Sequence, residues 1–224
     1  HQDGVTTLST GISNNSTTPI QVASTSDFPT SGYLLIGSEI IQYTTKTSTT
    51  FDGTITRGVL GTTNVAHLAG VYISEVQGVA SSSTVGVMQF NNTDYSSGIA
   101  IDSVDQTKVV CSVPALYNLQ FSVQLLNFTT AEDNVSVWFV LNGHAVPATA
   151  SVAEVLPKHG LGPGATIMTV NILQPLKAGD YVQLNWASKT GNTVVATYPP
   201  EASPVTPLSP AVIFTATFVS AYPE

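Results

Sequence analysis

The residues of this chain that could do the sharpest chemistry are two histidines, His1 and His67. A terminal histidine offers its α-amine and its imidazole, and a second imidazole completes a three-nitrogen T that suits copper. Tyr33, Tyr72 or Tyr198 would then be the axial neighbour. Other constellations are poorer. GLGPGAT at 160–166 imitates a phosphate-binding glycine loop but lacks the Lys-Ser/Thr that follows in such loops, and no helix comes after it, which predicts a surface loop. His144 follows an Asn-Gly turn and His159 sits beside Lys158, neither with the nucleophile and carboxylate that acyl transfer needs. Asp102 with Asp105, and Glu132 with Asp133, offer calcium too few loop oxygens and read as solvated turn acids. Trp138 and Trp186 have faces on which sugar rings stack, but both fall within strands, which predicts core or subunit-contact roles.

Composition removes further classes. The chain has 224 residues, of which 9% are charged and 42% hydrophobic, with a net charge of −8. Its six cations, Lys46, Arg57, Lys108, Lys158, Lys177 and Lys189, are scattered singly, so no basic stripe is available to nucleic acid. Cys111 is the single cysteine, which excludes an intrachain disulfide and cysteine-rich zinc sites and predicts a buried structural thiol. No apolar run approaches the roughly 20 residues that span a bilayer, so membrane insertion is not expected. Numbering that opens on His1 rather than Met suggests upstream processing, proteolysis during assembly or a tag remnant.

The elements that must position these residues are strands. Pro, Gly, Asn and Asp recur every eight to twelve residues or so, and between them lie short runs rich in Val, Ile, Thr and aromatics. The best helical candidate is a turn or two around Thr149 to Val155, bracketed by Pro147 and Pro157. In VSVWFVLNG, Val135, Val137, Phe139 and Leu141 share one face of a period-two ribbon, while Trp138 and Val140 share the other. Both faces are apolar, so a second sheet or an identical subunit must cover the outer one. The expected fold is all-β: a small module over 1–77, a small-residue connector over 78–86, and a C-terminal antiparallel jelly-roll sandwich over 87–224. Strands are expected at 33–36 and 39–43 around Gly37-Ser38, then at 71–76, 108–113, 119–126, 135–141, 167–173, 181–187, 194–198 and 212–222. The proline-rich span 199–210 reads as an extended loop.

Four segments carry a resemblance. PALYNLQFSVQLL at 114–126, VSVWFVLNG at 135–143, LKAGDYVQLNW at 176–186 and AVIFTATFVSAY at 211–222 resemble, in order and spacing, the trimeric jelly roll of the tumour-necrosis-factor and complement-globular-head type. The form with LKAGDYVQLNW looks especially like versions carried by tailed-bacteriophage virion proteins. SDFPTSGYLLIGSEIIQYT at 26–44 and ITRGVLGTTNVAHLAGVYI at 55–73 are similar to a small β module of phage structural proteins. The resemblance implies a homotrimer with no catalytic site and no cofactor. It implies a non-enzymatic protein on the virion exterior, attached to other virion proteins through the 1–77 module as a capsid decoration or head fibre. Phe121, Trp138 and Phe218 are the expected trimer contacts. The alternative is a tail fibre whose loops at 158–166 and 199–210 grip host glycan or protein. A more remote one is a copper-dependent polysaccharide monooxygenase using His1 and His67. Such enzymes resemble this chain nowhere else, and His67 falls within the phage-like GTTNVAHLAG run.

Overall fold

The computed structural model describes residues 1–79, 82–160 and 162–221. Among them there is no helix, and antiparallel sheets pack face to face as a β-sandwich. The Thr149–Val155 stretch that could have been helical is strand from Ser151 to Val155, paired with Asp133–Val137. Its small alternating side chains suit an edge strand, and two bracketing prolines leave no room for helical hydrogen bonds to propagate.

The first sheet is built on Ala115–Asn127, whose thirteen residues pair with all thirteen of Gly164–Leu176. Its other edge is shared: Val212–Ala221 pairs along 115–123 and Thr193–Ala196 along 125–127. The second sheet centres on Asp133–Leu141 and Tyr181–Ser188 and extends through Val109–Cys111 to Ile99–Ile101. Alternate residues of the two sheets, among them Leu119, Phe121, Val137, Phe139, Leu184 and Trp186, are buried between them. Phe121 and Phe139 meet across the layer with ring centroids 5.5 Å apart.

The N-terminal residues form their own core around Leu34, Ile36, Ile41, Tyr43 and Phe51. Gly32–Ile36 and Glu39–Tyr43 make the expected hairpin, with Gly37 at φ 60° where a side chain would strain the tight turn. Within the connector expected at 78–86, Val79 is buried in the larger core, and Ala80 and Ser81 lie outside the described residues. The two cores are nevertheless joined. Tyr72–Gln77 pairs with Thr193–Ala196, making one continuous sheet, and Ile40, Val76, Leu126, Phe128, Val194 and Ala196 bury a third cluster at the join. At the other end of the connector, Gly86–Val87 pairs with Asn185–Trp186, and a Cβ on Gly86 would stand 2.4 Å from the Trp186 indole nitrogen.

Gly164 opens the longest strand under a tighter constraint. A Cβ there would lie 1.8 Å from the Leu156 carbonyl oxygen. Gly164→Ala is expected to cost about 1–3 kcal/mol because backbone, not a flexible side chain, must move. A lowered urea midpoint would show this, and an unchanged midpoint would mean that the 156–157 segment yields freely.

Candidate functional site

The surface that stands out is the outward face of Gly164–Leu176, Ala115–Asn127 and Val212–Ala221. These three adjacent strands contain no Asp, Glu, Lys or Arg. Because residues alternate across a strand, those that do not enter the core line up outward: Asn118 beside Leu173 and Thr217, Gln120 beside Asn171 and Thr215, Ser122 beside Thr169 and Ile213. Ile167 and Leu173 are 67% and 62% exposed. A surface meant only for water carries charges; this one offers neutral amides, hydroxyls and bare aliphatic chains, the chemistry of a protein-protein contact.

The three expected contact residues do not share that face. Phe121 is fully buried in the subunit's own sandwich and has nothing to present to a partner. Its strand alternates cleanly, with Tyr117, Leu119, Phe121, Val123 and Leu125 on the core face and Asn118, Gln120, Ser122 and Gln124 on the other, so period two alone places it inside. Trp138 is half-buried on the outer side of the opposite sheet, since Val137 and Phe139 point inward. Phe218 is 56% exposed at the rim of the first sheet, edge-on to Tyr117. Trp186 is buried and packs in the core, so no sugar can reach its face.

His1 and His67 are engaged separately. His67 Nε2 lies 2.8 Å from Glu39, whereas His1 places Nε2 2.9 Å from Asp3 and Nδ1 3.3 Å from Asp94, and its amine donates to the Asn92 carbonyl. They share no partner, and among the described residues no three His, Cys, Asp or Glu side chains converge as metal ligands. Tyr33 and Tyr198 line the join between the cores, while Tyr72 is 45% exposed on the strand edge. Asp102 and Asp105 are turn acids: Asp102 accepts from the Val104 and Asp105 N–H groups, and Asp105 accepts from Thr107 and pairs with Lys108 at 3.0 Å. Loop 158–166 forms a bridge between His159 and Gly162, with Leu161 outside the described residues. Loop 199–210 carries a small hairpin, Glu201–Ala202 with Val205–Thr206.

Sequence reasoning missed three buried acids. Glu39, with no exposed surface, accepts from Arg57 Nε and Nη2 at 2.7 Å each, from the Gly58 and Val65 N–H groups at 3.1 Å, and contacts His67. Burial pushes its carboxyl up, but Arg57, the Val65 N–H and His67 outweigh it and hold the group below its ordinary range. Asp133 is no solvated turn acid: it is buried and accepts from Ser188, Thr190 and Thr193, which together overcome burial and lower its pKa. Glu75 is 2% exposed and lacks a comparable set of donors. Cys111 is buried, donating to the Val113 carbonyl, and burial raises its pKa.

Comparison with protein-family models finds no match, and comparison with curated proteins finds none either.

Proposed function

We propose that this chain is a non-enzymatic virion structural protein of a tailed bacteriophage. In this reading its C-terminal jelly roll trimerises and is displayed on the particle exterior, while the N-terminal module docks to other virion proteins. The observation that carries the reading is the uncharged outward face of the first sheet. Leaving Ile167, Leu173 and Ile213 in water forgoes burial worth about 25 cal/mol per Å² of apolar surface, which a threefold contact would recover. With roughly 800 Å² covered per partner, such a contact has the size of a stable interface. A net charge of −8 repels packaged DNA and suits an exterior position. No cofactor is required by any part of this reading.

Native mass spectrometry should then show a species near three times 23.4 kDa. Replacing Ile167 and Leu173 with Lys should leave the subunit folded, since both side chains are already exposed, and should abolish that species. A wild-type protein that stays monomeric at micromolar concentration would sink the trimer. The tail-fibre alternative draws on the 199–210 loop, where Val205 is 86% exposed at a hairpin tip. Electron microscopy of particles labelled on this protein separates capsid from tail, and specific adsorption of the purified protein to host cells would favour the fibre.

A further inference from the structure

The Val212–Ala221 strand is bonded along only one edge. Ala115–Val123 occupies that edge; on the other, the described residues supply only Gln2, which bridges Val212. From Ile213 onward the second edge is open. A groove of about 560 Å³ is lined by this strand together with Phe90, Ile99 and Ile101, and by His1 and Asp94, which are paired with each other. Ile99–Ile101 is itself an edge, paired among the described residues with Val109–Cys111 alone.

Soluble proteins protect such edges with lysine, proline, an inward charge or a bulge. Residues 213–218 have none of these; the register shift of this strand comes later, at Val219, between the pairs Tyr117 with Phe218 and Leu116 with Ser220. An open, uncharged strand is a template for another strand, and its own sequence says which. Residues 213–219 read Ile-Phe-Thr-Ala-Thr-Phe-Val, and the central Phe-Thr-Ala-Thr-Phe is the same in both directions. Antiparallel pairing with itself about Ala216 sets Thr215 opposite Thr217 and Phe214 opposite Phe218, ending before the shift at Val219. Hydroxyl pairs and aromatic pairs directly across a ladder are stabilising.

We propose that a second copy of this chain docks here, strand 214–218 against strand 214–218, about a twofold axis through Ala216. Phe214, Ala216 and Phe218 point to the inner side of the sheet, as their partners Phe121, Leu119 and Tyr117 do. The exposed Phe218 of one copy enters the groove of the other beside Phe214, which already touches Phe90 and Phe139. Gln2 sets the end of the ladder, because it fills the edge position beside Val212. The contact is isologous and closes on itself, so it yields a pair and not a fibre. For two molecules of charge −8, an uncharged strand is the patch over which backbones can approach. It uses an edge, not the outward face, and so neither requires nor replaces a threefold contact; the two together would give six subunits.

Cysteine cross-linking tests the register. In Ala216→Cys the new thiol faces its own copy with Cα atoms about 4.5–5.5 Å apart, within disulfide reach. Mild oxidation should give a covalent dimer on a non-reducing gel, while buried Cys111 in the wild type gives none. Thr215→Cys alone should form at least about ten-fold less dimer, because its opposite number is residue 217; mixed with Thr217→Cys it should cross-link. Both threonines point outward, so these variants keep the test alive even if Ala216→Cys misfolds. Native masses should include an even multiple of 23.4 kDa, two subunits from this contact alone or six where the threefold contact forms as well. Masses of monomer and trimer alone, or cross-linking no greater for the opposed pairs than for Thr215→Cys alone, would overturn the twofold contact.

Discussion

Arg57→Ala is expected to destabilise the N-terminal module by about 3–5 kcal/mol, the loss typical when one partner of a buried ion pair is removed and the other charge stays buried. The cause lies in how many groups one guanidinium satisfies. Beyond the two bonds to Glu39, its Nη1 donates to the Ser13 and Ser16 carbonyls and its Nη2 to the Val65 carbonyl. Three separated segments, 13–16, 39 and 65, are thus tied to one side chain. Thermal or urea unfolding followed by circular dichroism reads the loss, and a change under about 1 kcal/mol would show that His67 and the backbone donors hold Glu39 without help. Glu39→Leu combined with Arg57→Leu should not recover the wild type, because it orphans the Gly58 and Val65 N–H groups. The pair also sets an acid limit. Glu39 is depressed in the fold, so its contribution is complete above the ordinary carboxylate value of about 4.3 and is lost as pH falls through its lower folded pKa. Asp133 behaves with the same sign.

None of these acids could be found by counting charge. A chain with so few ionisable residues invites the reading that each is solvated, and for Asp102 and Asp105 that holds. Glu39 fails it because the donors come from residues 57, 58, 65 and 67, brought over the hairpin by tertiary contacts that no local pattern encodes. Strand alternation, by contrast, is local, so Tyr117, Leu119, Val123 and Leu125 could be assigned to the core from spacing alone, with polar residues at 118, 120, 122 and 124 opposite. Where a strand is apolar on both sides, as 135–141 is with Trp138 and Val140 opposite Val137 and Phe139, spacing gives two faces without saying which is inside, whereas the expectation of Phe121 as a contact runs against the alternation of its own strand. The join between the cores was equally out of reach: a four-residue strand at Thr193–Ala196 bonds to Tyr72–Gln77, more than a hundred residues earlier. The palindrome at 214–218 was readable, but it acquires meaning only once Ala115–Val123 is seen to occupy one edge and leave the other open.

Glu75→Gln is expected to stabilise the protein, and by more as the pH rises. Glu75 lies where the N-terminal segment, the Tyr72–Gln77 strand and residues 89–91 meet, and its Oε2 accepts a long 3.3 Å bond from Asn91. Its carboxylate is favoured by the charge of Lys46, whose Nζ donates to the Thr25 and Phe28 carbonyls. Burial therefore raises its pKa to about 8, opposed by the Gln2 amide and the charge of Lys46 and reinforced by Asp3 and Asp27. In the unfolded chain the same carboxyl ionises near 4.3. Between those values the folded state holds one proton more than the unfolded state, so stability falls with rising pH by about 1.4 kcal/mol per unit and levels off above 8. The accumulated loss is at most about 5 kcal/mol. Glutamine keeps the shape and has no proton to lose, so the variant should match the wild type near pH 4.5 and exceed it by about 2–5 kcal/mol at pH 8. Urea unfolding at three pH values measures the difference; a gap that does not widen with pH would mean that Glu75 is ionised in the fold and held by Lys46 after all.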